Sequence, residues 1–303
     1  MSRADEQSPT ARPGSPGEVA PGGGGSAVDD TGREAGPAPR PAGGGWRAVF
    51  GYWFAVYKRI WRSTVISSFL APLLYLAGMG YGLGALIDSG DRTAVPGVPY
   101  VAFVATGLVA AQAMMTASAE TTYNVFGAIK WLHTYDAMLV TPLRVVDLVR
   151  GHLVYVLMRL TLVAGVFVGV ALALRAMDGP LALAAVPAAV LGGLAFATPI
   201  YAFSATLDSE QGFNVLQRFI IMPLFLFSGT FFPLAQLPVA LQVFGWVSPL
   251  THTVALTRAL GLGPDSALWI EPWRFAVHVA YLVLWAGVGY LLAVRALRRR
   301  MVV

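Results

Sequence analysis

Six stretches of about 20 mostly apolar residues, the length that crosses a bilayer as a helix, recur along the chain at 65–87, 100–123, 153–174, 181–207, 216–234 and 273–294. Ahead of the first, Trp46, Val49, Phe50, Trp53, Tyr57, Ile60 and Trp61 return at helical spacing. Arg47, Lys58, Arg59 and Arg62 fall elsewhere on the wheel. This pattern predicts an amphipathic helix over 46–64 lying in the membrane interface, or else the polar start of the first span. The loop 124–146 carries a second stripe, Val125, Ile129, Leu132, Tyr135 and Leu139, with Lys130 and Thr134 off it. The segment 235–264 is apolar, but Pro238, Pro249 and Pro264 cut it into pieces of about ten residues, too short to span. Two short helices dipping back into one leaflet fit it, provided protein buries their exposed backbone.

Composition makes a soluble fold untenable. Only 12% of the 303 residues are charged, about half the share of an ordinary globular protein. The net charge of +5 is carried mostly by arginines at the ends of apolar runs, where they set topology or meet anionic headgroups; nucleic acid is not implied. With the N-terminus inside, segments 46–64, 124–150, 206–218 and 295–300 carry twelve cations, against Arg92, Arg175, Arg258 and Arg274 outside. That bias places both termini in the cytoplasm, with Arg298, Arg299 and Arg300 anchoring the last helix. Residues 1–45 hold eleven glycines and seven prolines but no Leu, Ile or Phe. Such a tail is expected to be disordered, as a solvated extension or a docking arm, and has no apolar core of the kind a signal peptide needs. Gly78, Gly80, Gly82 and Gly84 mark an expected close-packing face on the first span. The chain has no cysteine, so disulfides are excluded.

Catalytic chemistry has little to stand on. The two lysines, Lys58 and Lys130, follow Tyr57 and Ile129, so no phosphate-binding loop is present. His133, His152, His252 and His278 are too scattered for a shared metal site. Ionisable residues at membrane depth carry more meaning. Glu120 lies near the inner end of the second span, Arg159 two turns into the third, and Asp208 and Glu210 close the fourth. Glu120 and Arg159 are positioned to pair, although Arg159 has the length to snorkel to the headgroups instead. No carboxylate sits at the midplane, where an ion-coupled carrier often keeps one. A self-contained channel or carrier and a lipid-modifying enzyme stand as alternatives without a motif of their own.

Three stretches carry a family resemblance: Pro72–Ile87 (PLLYLAGMGYGLGALI), Tyr135–His152 (YDAMLVTPLRVVDLVRGH) and Phe227–Leu260 (FSGTFFPLAQLPVALQVFGWVSPLTHTVALTRAL). Together with the element order, they resemble the type-2 permeases of ABC exporters, similar to nodulation lipo-oligosaccharide and daunorubicin-type drug exporter permeases. The resemblance covers 46–300. It implies an all-α integral membrane protein with six transmembrane helices, an N-terminal interfacial helix, a cytoplasmic coupling helix and re-entrant outer helices.

It further implies a homodimer in the bacterial cytoplasmic membrane, joined to two separate ABC ATPase subunits that hold ATP and Mg. This chain would then bind no cofactor and catalyse no reaction itself. Carried onto this sequence, the coupling contacts with the ATPase are Phe126, Lys130, Trp131, His133, Tyr135 and Asp136, with Lys58, Arg59 and Arg62 flanking them. The cargo would be amphiphilic or lipid-linked: a drug-like molecule, a glycolipid or a lipo-oligosaccharide. Its path would run between protomers past Tyr75, Tyr81, Met114, Met115, Phe225 and Phe227, whose aromatic and thioether groups adapt to varied apolar surfaces. Ordinary helix packing or lipid contact accounts for the same residues.

Overall fold

A computed structural model describes residues 44–88 and 95–301. The tail expected at 1–45 lies outside them except for Gly44 and Gly45, as do Arg92 and the side chain of Tyr81. The described residues are helical apart from turns and one isolated bridge between Val95 and Val98.

Four helical runs are long and apolar enough to cross a membrane. The first joins α3 (Tyr100–Thr121) to α4 (Tyr123–Lys130). The others are α6 (Val145–Ala173), the run Pro180–Thr206 containing α7 (Ala185–Thr206), and α12 (Pro272–Met301). A fifth is added if α10 (Val239–Val247) and α11 (Pro249–Leu262), bent by 82° at Ser248, count as one broken span. The bend follows from Pro249, which cannot donate to the preceding turn and drives Ser248 into an extended conformation. Ser248 then caps α11 by accepting from the Leu250 amide at 3.0 Å.

Two expected elements are corrected. No break separates an interfacial helix from a first span: α1 runs from Gly45 to Tyr75, then passes through a π-helical stretch, Leu76–Leu83, into α2 (Gly84–Asp88). Nothing between Arg62 and Val65 would stop a helix, and the loosening comes later, where the glycines weaken the regular ladder. The fifth apolar stretch is helical only over Gln211–Phe227, comprising α8 (Gln211–Leu216), a π-turn and α9 (Met222–Phe227). It ends seven residues before Leu234, because Gly229 takes φ +85° and Pro233 follows. At 1.5 Å per residue this run is about 25 Å long, short of a hydrocarbon core of roughly 30 Å.

Packing centres on α7, which touches α3, α6, α11 and α12. The interfacial stripe of α1 is used in part: Val49, Trp53 and Tyr57 are buried on the helix that packs α6, while Ile60 and Trp61 remain exposed. Of the expected glycine face, Gly84 is buried against Tyr100 while Gly78 is open. A methyl at Gly78 would meet nothing within 4 Å, whereas one at Gly151 would lie 2.6 Å from the Trp46 carbonyl oxygen. Likewise one at Gly107 would lie 2.7 Å from that of Thr230. Tight approaches therefore include α1 on α6 and α3 on the turn after α9, besides α7 on α11 at Gly192 and α12 on α7 at Gly289. Arg258, counted from sequence among the outer cations, is buried instead. Its Nη2 donates to the carbonyls of Phe103 (3.2 Å) and Gly229 (3.0 Å), and its guanidinium lies 3.7 Å over the Phe103 ring.

Candidate coupling site

The loop after α3 folds as two short helices, α4 and α5 (Thr134–Leu139), that turn a corner at Trp131–His133. His133 makes the corner by adopting a left-handed conformation, φ 48°. That state is uncommon for a residue with a side chain, but among such residues His visits it more readily than most. The corner splits the predicted stripe. Val125, Ile129 and Tyr135 are buried, but Leu132 projects outward with 71% of its surface exposed.

The six expected coupling residues divide the same way. Trp131, His133 and Asp136 are exposed on the corner, and His133 Nδ1 lies 3.0 Å from Asp136 Oδ2. Lys130 is half-buried and reaches Asp208 at 3.2 Å. The same carboxylate is held by Arg300 at 2.6 Å, so the corner, the end of α7 and the end of α12 share one anion. Arg300 first, then Lys130, holds the Asp208 carboxyl below its usual range. Phe126 and Tyr135 face inward. Phe126 packs edge-on against Trp131 and Phe213 at centroid distances of 5.4 and 5.6 Å.

Tyr135 is the root of the corner. Its hydroxyl lies 2.9 Å from His152 Nδ1 on α6 and 3.1 Å from the Tyr201 hydroxyl on α7. His152 Nε2 lies 3.0 Å from the backbone carbonyl of Glu120 on α3. A carbonyl only accepts, so Nε2 carries the proton and Nδ1 of the neutral ring accepts. The Tyr135 hydroxyl must then donate to His152, which leaves its own oxygen to accept from Tyr201. Burial pushes the Tyr135 phenol well above its ordinary range, so it keeps the proton it donates. One directed chain thus ties α5 to α7, α6 and α3.

The Glu120–Arg159 pair continues that chain into the membrane. Arg159 Nε donates to Glu120 Oε1 at 2.8 Å, which decides against snorkelling. Asn124 Nδ2 and the Tyr155 hydroxyl donate to Oε2 at 2.8 and 3.3 Å. The guanidinium also lies 5.0 Å from the Tyr57 ring of α1. Lys58, Arg59 and Arg62 stay exposed on α1, with Lys58 Nζ 4.8 Å from the Phe54 ring. Tyr155 and Tyr201 were not singled out from sequence, and His152 was weighed there only as a metal ligand, because only the fold brings α3, α5, α6 and α7 together at this point.

The cargo set is less coherent. Tyr75, 40% exposed, lies with its ring 6.4 Å from that of Phe225, and Met115 and Phe227 are half-buried. Met114 is withdrawn from that set as a surface residue, since it is wholly enclosed in the protomer core.

Residues 46–261 match the family model described as ABC-2 type transporter. The chain is 34% identical over 268 residues to Nodulation protein J of Rhizobium leguminosarum bv. viciae, covering 88% of this chain and 99% of that relative. It is 32% identical over 266 residues to Nodulation protein J of Rhizobium meliloti (strain 1021), covering 87% and 97%. Against the inner membrane transport permease YadH of Escherichia coli (strain K12), identity is 26% over 236 residues, covering 75% and 86%. A helical, charge-poor chain with this match over more than two thirds of its length is a multi-pass membrane protein that belongs to the ABC-2 type transporter permease family.

Proposed function

We propose that this chain is the membrane subunit of an ATP-driven exporter, acting as a homodimer with two separate ATPase subunits that hold ATP and Mg. The observation that carries the proposal is the exposed α4–α5 corner rooted through Tyr135 and His152 in three long helices. A partner pressing on Trp131, His133 and Asp136 would move a lever already hydrogen-bonded to α3, α6 and α7. Interior packing is close and resists continuous deformation, so such a push is passed on as a rigid displacement. In this reading α1 with α2 forms the first of six spans, and α10–α11 a re-entrant pair on the outer side. The fifth span is α8–α9, at about the shortest length that crosses a thinned bilayer. Both termini and the corner face the cytoplasm of a bacterium. Cargo is amphiphilic or lipid-linked, and passes between protomers along the Tyr75–Phe225 surface. The name of one relative, an inner membrane transport permease, supports the transport role.

Affinity purification of the tagged chain from its native membrane tests this. A stoichiometric partner bearing a Walker-type ATPase is expected. A homo-oligomer that transports cargo with no such partner would contradict it.

A further inference from the structure

On the flank where α6, α7 and α12 meet, four arginines surround the mouth of a long apolar groove. Arg150, Arg295, Arg298 and Arg299 line a cavity of about 490 Å³ whose floor includes Leu291 and Val294. Arg150 Nε donates to the Tyr290 hydroxyl at 3.0 Å, which pins its guanidinium at the mouth. Among the described residues, none of these four arginines has a carboxylate within ion-pair distance, whereas the neighbouring Arg300 is neutralised by Asp208. Past Arg150 and Tyr290 the groove continues into a cavity of about 430 Å³ lined by Leu153, Val154 and Leu157. It then reaches a third of about 300 Å³, through the shared residues Leu157 and Leu194, bounded by Thr161 and Pro187. From Arg150 to Thr161 the track is about 16 Å long at 1.5 Å per residue, close to half of a hydrocarbon core of roughly 30 Å.

We infer that this groove is a binding site for an anionic phospholipid of the leaflet on the arginine side. The guanidinium fork matches phosphate oxygens two at a time, which accounts for the cluster at the mouth. The apolar track, one leaflet deep, accounts for acyl chains laid along α6 and α7. A soluble anion would use the first feature and leave the second without a purpose. The site shares no residue with the cargo surface and does not depend on the ATPase reading.

The test is native mass spectrometry of the full chain in detergent. It is titrated with phosphatidylglycerol, with phosphatidylcholine of the same chains, and with the soluble headgroup glycerophosphoglycerol. Phosphatidylglycerol should be retained over phosphatidylcholine by about tenfold or more, given the attraction of each arginine near the surface for anionic lipid. The headgroup in large excess should not displace it. Replacing Arg295, Arg298 and Arg299 by Gln should abolish the preference, whereas Arg47→Gln, Arg59→Gln and Arg62→Gln together, removing as many cations from α1, should preserve it. Leu157→Trp, at a position 41% exposed in the track, should weaken retention with every arginine intact, and serves if the α12 variant does not fold. Equal retention of the two lipids, displacement by the free headgroup, or an equal loss from the α1 variant would overturn the assignment.

Discussion

Tyr135 holds the α4–α5 corner to the helices beneath it, and the direction of its hydrogen bonds fixes the effect of losing them. Tyr135→Phe keeps the ring but leaves His152 Nδ1 without a donor and the Tyr201 hydroxyl without its acceptor. Stranding a buried polar group costs about 1–3 kcal/mol. The variant should therefore melt earlier than wild type in a thermal unfolding assay, and Tyr201→Phe, which removes only the outermost donor, should melt less early. Asp208 makes the opposite kind of prediction, because it is exposed. Its carboxyl is held below the ordinary value, so its contribution is complete above about pH 4 and disappears only as pH falls through the lowered one. The melting difference between wild type and Asp208→Asn should be constant from about pH 8 to 5, and shrink only below about pH 4. At this scale the sequence was partly readable. Glu120 and Arg159 stand out as charges in apolar runs, whereas Tyr135, His152 and Tyr201 are ordinary in composition and become a network only through tertiary packing.

Helices show which patterns are legible and which are not. Spans at 100–123 and 181–207 are recovered within a few residues because apolar length alone defines them, as α3 and as Pro180–Thr206. The third and sixth are found but extended at their polar ends, since hydropathy drops before the helix stops. The fifth is misjudged because Ser228–Pro233 is apolar enough to prolong the pattern but too turn-prone to continue the helix. Glycine is the least legible: the GxGxGxG run faces open space at Gly78, while glycines outside it, such as Gly107, Gly151 and Gly192, mark close crossings. Gly151→Ala should force α1 away from α6, an overpacking cost of about 1–3 kcal/mol, read as a lower melting temperature. Gly165→Ala and Gly169→Ala lie on the same helix with nothing within 4 Å of the added methyl. They should be neutral or stabilising by up to about 1 kcal/mol through helix propensity. Equal destabilisation at all three would deny the α1–α6 crossing its special role.

In the whole molecule, the Lys130–Asp208–Arg300 cluster, the coupling corner and the arginine-lined groove involve the ends of α4, α7 and α12 and the start of α6. In the proposed orientation these ends lie on the cation-rich side, and Arg258, counted outside from sequence, is buried in the core. Under the proposed function, this polar structure at one set of helix ends is where a separate ATPase would press on the corner. Because the chain has no native cysteine, single introduced cysteines report contacts without background. The most direct measurement places cysteines at Trp131, His133 and Asp136 in turn, and at Leu181 as an exposed control, in membranes containing the ATPase that the proposed function expects. The account predicts crosslinks to the ATPase from the three corner positions, modulated by nucleotide, and none from Leu181. Crosslinks absent at the corner, or equally strong at Leu181, would contradict the claim that the α4–α5 corner is where ATP hydrolysis reaches the membrane helices.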